Sequence, residues 1–261
     1  MNSYRYRQRK PAAALLAIGI LSISLVLFQG VPSAANDRME AEQLVEKALL
    51  SFQSFMCDEN MGAFRDLIRD AKGVMIVPSM LEGAFIVGAS GGNGVLLTRD
   101  RIDAAWSGPA FYTIGGASFG LQIGGQSSEV ILLAMTDRGV TSFLSNSFKL
   151  GGDVGVAFGP VGIGASAATA NLSADIVSFS RSKGLYGGIS LDGAVVAVRD
   201  GLNKAYFKGD PSPTDILVRH TFKNPHSEML GGFLAKAASA KMAKSDCVSG
   251  ARADRTASLA R

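Results

Sequence analysis

Residues 106–125 read WSGPAFYTIGGASFGLQIGG, and the fold turns on Gly116 to Gly120 within them. GASFG matches G-x-S-x-G, the motif that sets a nucleophilic serine, here Ser118, on a strained turn between a strand and a helix. Acids and the two histidines, His220 and His226, follow in the chain order that such a hydrolase uses. The chemistry requires a helix directly after the serine, because only that turn lifts the hydroxyl clear of the sheet. The residues that follow, LQIGG, continue as strand, and no strand–helix alternation surrounds them. The stretch therefore predicts sheet without a catalytic serine, and no enzymatic activity is expected.

Working outward, GVMIVPS, GAFIVGAS, NGVLLTRD, EVILLAMT and GVTSFLS are short apolar and β-branched runs separated by turn residues, and each predicts a strand. GDVGVAFGPVGIGASAATA alternates tiny and apolar residues and should break at Gly159-Pro160. Of the 31 glycines, 23 fall between Gly73 and Gly193. Glycine at that density weakens strands singly, so a sheet that keeps it needs close backbone approach, bulges or strong curvature. GPVGIG and SGGNG open no helix and read as turns, not phosphate cradles.

Helices are predicted on both sides. DRMEAEQLVEKALLSFQSFMC spaces its apolar residues by three and four, with acids at the start that suit the helix dipole. A second short helix is predicted over Ala63 to Ala71. Beyond Asp192, GAVVAVRDGLNKAYF passes from strand to helix, SPTDILV reads as a capped turn, and EMLGGFLAKAASAKMAK as a last helix interrupted by Gly231-Gly232. The expected fold is α+β: a glycine-rich, mostly antiparallel curved sheet or partly closed barrel, flanked by N- and C-terminal helices.

The first ten residues hold Arg5, Arg7, Arg9 and Lys10, and an uncharged apolar run follows from Ala12 to Phe28, then small residues at Ser33 and Ala35. This is the pattern of a Sec-type secretory signal over residues 1–35, with an uncleaved membrane anchor as the alternative. A single domain over 36–245 and a mobile tail over 246–261 complete the organisation. Export places the chain in the periplasm or at the envelope. The formal charge of +4 comes from those four N-terminal cations, since the remainder balances 22 basic against 22 acidic residues. An electrostatic grip on nucleic acid is thereby excluded. Cys57 and Cys247 face an oxidising compartment, where they either bridge the first helical segment to the last or remain two free thiols. With two histidines and no clustered cysteines, neither a metal nor another cofactor is expected.

SFSRSKGLYGG, residues 178–188, places two cations in a sparsely charged region. A two-residue turn at Lys183-Gly184 pairs Ser182 with Leu185 and Arg181 with Tyr186. Strand alternation then sets Val177, Phe179 and Arg181 on one face. Arg181 and Lys183 are candidates for a lipid headgroup, against a plain cross-strand Arg–Tyr contact. Trp106 beside Pro109, and Tyr186, are candidate membrane-interface residues, with core packing as the alternative for Trp106.

AKGVMIVPS (71–79), NGVLLTRD (93–100), WSGPAFYTIGGASFGLQIGG (106–125), KLGGDVGVAFGPVG (149–162) and SFSRSKGLYGGISLDG (178–193), in this order and spacing, together resemble the SYLF domain over about residues 40–205. The resemblance implies binding, not catalysis. Eukaryotic members of that family bind phosphoinositide membranes, and fungal ones bind and bundle actin filaments. It also implies a headgroup role for Arg181 and Lys183, which match the family's R-S-K-G pattern. The export signal is a departure and makes the chain look like a stand-alone bacterial form. Its expected partner is an anionic phospholipid or membrane surface, with an envelope protein as the alternative; an exported chain does not meet actin.

Overall fold

The computed structural model describes residues 34–84, 87–119, 124–162, 173–182, 185–186, 191–239 and 247. The signal segment apart from Ala34 and Ala35, the tail apart from Cys247, and Lys183 lie outside the described residues. Helices α1 (Ala34–Cys57) and α2 (Gly62–Leu67) precede strands β1 (Gly73–Ala84), β2 (Val87–Arg99), β3 (Trp106–Phe119) and β4 (Gly124–Ala134). Helix α3 (Asp137–Ser142) leads to β5 (Ser147–Lys149), β6 (Val156–Phe158), β7 (Ile176–Ser182), β8 (Leu185–Tyr186) and β9 (Val195–Val198). Helices α4 (Asp200–Phe207), α5 (Pro213–Leu217) and α6 (Glu228–Ala238) follow. Among the described residues no helix is long and apolar enough to cross a membrane.

The nine strands form one sheet, with the path β5-β9-β3-β2-β1-β4-β7-β6 and β8 paired to β7. The central order β4-β1-β2-β3 is a Greek key. All pairings between these strands are antiparallel except β6 on β7. The sheet curls into a half-barrel with helices at both ends, as the glycine content predicts. A parallel bridge joins Leu150, just after β5, to Val154, just before β6.

Alternation along the strands makes two cores. Val74 and Ile76 of β1 pack on Ala48, Phe52 and Phe64 of the N-terminal helices, which makes the helix-covered, outer core. Met75 and Val77 face the opposite side of the sheet, with Tyr112, Phe143 and Ile216. Each such aliphatic or aromatic side chain contributes about 1.5–3 kcal/mol on full burial. The stripe expected on α1 is the one buried: Ala41, Val45, Ala48, Phe52 and Phe55 are all at or near zero exposure.

Curvature has a local cause in β1. Pro78 has no N–H to give a ladder, and the register to both neighbours shifts around it. The bulge brings β1 so close to β2 that a Cβ on Gly92 would lie 2.6 Å from the Ser79 carbonyl oxygen, and one on Gly94 2.7 Å from that of Ile76. Only glycine fits at either position.

Three expectations are corrected. GVTSFLS is not a strand: α3 covers its first half, because Thr136 Oγ1 accepts from the Gly139 amide at 3.0 Å and caps a helical turn. FYTIGGASFGLQIGG is not one strand, since β3 ends at Phe119 and Gly124-Gly125 begin β4. Ser118 itself lies in β3 opposite Gly88, still within the ladder. Gly231-Gly232 does not interrupt the last helix, because burial of Leu230, Leu234 and Ala237 on the outer core offsets about 1 kcal/mol lost per glycine.

Candidate functional site

The hairpin register is the one the sequence predicts, with Arg181 opposite Tyr186 and Ser182 opposite Leu185. On its other side β7 meets β4, which sets Glu129 opposite Arg181, Ile131 opposite Phe179 and Leu133 opposite Val177. The apolar members of these pairs lie in the outer core beneath α1. Arg181 is therefore turned toward a helix. Its Nε donates to Glu129 Oε2 at 3.0 Å, Nη1 to Asp58 Oδ2 at 3.3 Å, Nη2 to Ser54 Oγ at 2.7 Å and also to Glu129 Oε2. The guanidinium carbon stands 5.2 Å from the Phe55 ring centroid, and Ser51 donates to the other Glu129 oxygen at 2.7 Å.

This geometry corrects the picture of Arg181 as a free cationic tip. Its side chain is 18% exposed and two carboxylates already hold it, so a headgroup would have to displace both. The signals for the arrangement are present in the sequence. Glu129 heads the apolar run EVILLAMT, and Ser51, Ser54 and Asp58 recur at intervals of three and four along α1 and into the residue that follows it. Joining them required knowing that β4 lies beside β7.

Cys57 and Cys247 are bonded as a disulfide, with Cα atoms 5.4 Å apart. Trp106, at the start of β3, is half-buried and packs against the outer core, which is the packing alternative. Its ring nitrogen is buried and has no hydrogen-bond partner among the described residues. The backbone of Tyr186 pairs with Arg181; its side chain is outside the described set.

A cleft of about 810 Å³ lies elsewhere, between the β2–β3 loop, α3 and the end of α5. Ala71, Val140, Leu144 and Leu217 give it an apolar floor, and Lys72, Arg99 and Arg101 stand at its rim. Ile102 is 96% exposed and Val218 51% exposed at its mouth. Thr98 Oγ1 donates to the Leu217 carbonyl at 2.7 Å and fixes α5 against the sheet. Asp100 accepts from the Ile102 amide at 2.6 Å, the main reason its carboxyl sits below the usual range. Ala104 and His220, both in the left-handed region at φ 58° and 55°, line this same cleft; strained backbone of this kind concentrates at ligand sites. Sequence reading passed over these residues because RDRID looks like a solvated turn. Its one signal is an isolated isoleucine among four charges.

A family model described as "Las17-binding protein actin regulator", Ysc84, matches residues 115–237. The chain carries a SYLF (Ysc84) domain. The human SH3 domain-containing YSC84-like protein 1 is 32% identical over 166 residues, which cover 63% of this chain and 48% of that protein. Protein YSC84 of Saccharomyces cerevisiae is 27% identical over 198 residues, 74% of this chain and 41% of that protein. LAS seventeen-binding protein 3 of the same species is 30% identical over 164 residues, 61% and 35% respectively. The chain spans about half the length of the curated relatives it matches, or less. The SYLF match reaches from the second half of β3 to α6, so α3, α5 and much of the cleft wall belong to it.

Proposed function

We propose that this SYLF domain is a non-catalytic lipid-binding module of the cell envelope, exported by its N-terminal signal and engaging anionic phospholipid surfaces at the cleft mouth. The observation that carries the reading is Ile102, almost wholly exposed next to Arg101 and across from Val218. An aliphatic side chain held in water beside a cation is the composition of an interfacial contact, where the apolar group enters the acyl boundary and the cation meets phosphate. Co-sedimentation of residues 36–261 with phosphatidylglycerol vesicles should show binding, and Ile102→Asp should weaken it about tenfold, the loss expected when one aliphatic anchor leaves the membrane. Equal binding by the variant would rule out this loop as the contact. Cell fractionation with N-terminal sequencing of the mature chain tests export, and recovery of the intact chain in the cytoplasm would overturn it.

A second reading, an interaction with another polypeptide, is favoured by the description of the family as a Las17-binding actin regulator and by Phe158, 50% exposed on edge strand β6. Edge strands accept added strands through their free backbone groups. Actin belongs to this reading, and a cytoplasmic location would bring it forward. Pull-down from envelope and cytoplasmic extracts, with lipid removed by detergent, separates it from the lipid reading.

A further inference from the structure

The cleft rim contains an unusual convergence of charge. Lys72, just before β1, places Nζ 2.8 Å from Asp137 Oδ1, and Arg101, from the β2–β3 loop, pairs with the same oxygen. Two cations from separate elements thus meet one carboxylate oxygen, and that carboxylate is 53% exposed, so packing does not require the arrangement. Beside them Arg99 donates from Nη1 to the Arg69 carbonyl at 2.8 Å and forms no ion pair with a carboxylate among the described residues. Asp100, which also lines the cleft, directs one oxygen to its own loop amides, from Ile102 at 2.6 Å and Asp103 at 3.4 Å. The apolar floor of Ala71, Val140, Leu144 and Leu217 begins directly below.

The geometry points to this cleft as a site for a phosphate monoester bearing an apolar group, with Asp137 holding the place of the anion when the ligand is absent. A phosphate offers three oxygens to three cations, whereas Asp137 engages only Lys72 and Arg101. The ligand's apolar part replaces water over the floor, and the volume of about 810 Å³ falls within the range of small-molecule sites. Asp137 then acts as an internal competitor that sets a threshold for binding. The proposal rests on the lipid-binding reading and assigns it a headgroup site, and the same chemistry would recognise a soluble phosphoester.

Isothermal titration of residues 36–261 with butyl phosphate and with inorganic phosphate, alongside phosphatidylcholine vesicles with and without phosphatidic acid, tests it. Asp137→Asn should tighten butyl phosphate about fivefold by releasing both cations. Joint replacement Arg99→Gln and Arg101→Gln should weaken it at least about tenfold, since two charge-assisted donors are lost. Unchanged affinity in either variant, with thermal midpoints preserved, overturns the site. Inorganic phosphate bound as well as butyl phosphate overturns the role of the floor. Vesicle binding that survives the double arginine replacement overturns the site while the lipid reading stands. Butyl phosphate binding with the expected dependence, but no vesicle binding, supports the site and removes the membrane.

Discussion

Replacing Cys57 and Cys247 together by serine is expected to lower the stability of the chain by about 3–5 kcal/mol, the range for a bridge that closes a long loop. The two residues are 190 positions apart, so the bond confines most of the unfolded domain. It also holds the end of α1, where Phe52, Phe55 and Met56 close the outer core. Denaturant unfolding with and without reductant provides the measurement. Reductant should bring the wild-type midpoint to that of the double variant and leave the variant where it is. For a domain of this size the thermal midpoint should fall by about 6–20 °C. Alkylation before reduction should modify neither cysteine; two reactive thiols in the protein purified without reductant would contradict the prediction.

The second large effect is expected at Arg181. Arg181→Met leaves the Glu129 and Asp58 carboxylates beside each other without their shared cation, at 28% and 12% side-chain exposure. Breaking a fully buried pair by removing one partner costs about 3–5 kcal/mol; with this much residual solvent contact the expected loss is about 2–4 kcal/mol. Arg181→Lys should recover only part of it, because one ammonium cannot address Glu129, Asp58 and Ser54 in the fixed fork of a guanidinium. A double-mutant cycle with Glu129→Gln should give a coupling of about 1 kcal/mol or more between the cross-strand partners. Vesicle affinity of the folded Arg181→Met protein should match wild type. The opposite pattern, lost anionic binding at an unchanged thermal midpoint, would restore Arg181 to the headgroup.

Local signals carried much of the architecture. Period-two alternation in SFSRSKGLYGG predicts the pairing of Arg181 with Tyr186 and of Ser182 with Leu185, and β7 and β8 have that register. The SPTDILV turn contains its own capping box, Ser212 with Asp215, and forms α5 where expected. GVTSFLS failed because β-branched residues resemble a strand until a capping threonine just upstream is counted. The site was less legible than the fold. Arg181, the most conspicuous cation in its segment, is held by three residues brought from α1, the following turn and β4, and no spacing along the chain reveals that meeting. The cleft cations come from the approach to β1, the end of β2 and the loop after it, each ordinary in its own surroundings.

By itself the sequence determined the helix–sheet–helix order, the need for glycine in a curved sheet, and the resemblance that names the domain. Those depend on contacts among near neighbours and on backbone conformations that a few residue types allow. Tertiary structure decided which charges are free to meet a ligand. Arg181 is surrounded by acids because the Greek key lays β4 between β1 and β7, and Ile102 is left in water because its loop spans a cleft. Exposure and ion pairing depend on distances between residues far apart in the chain, and only the folded sheet sets those.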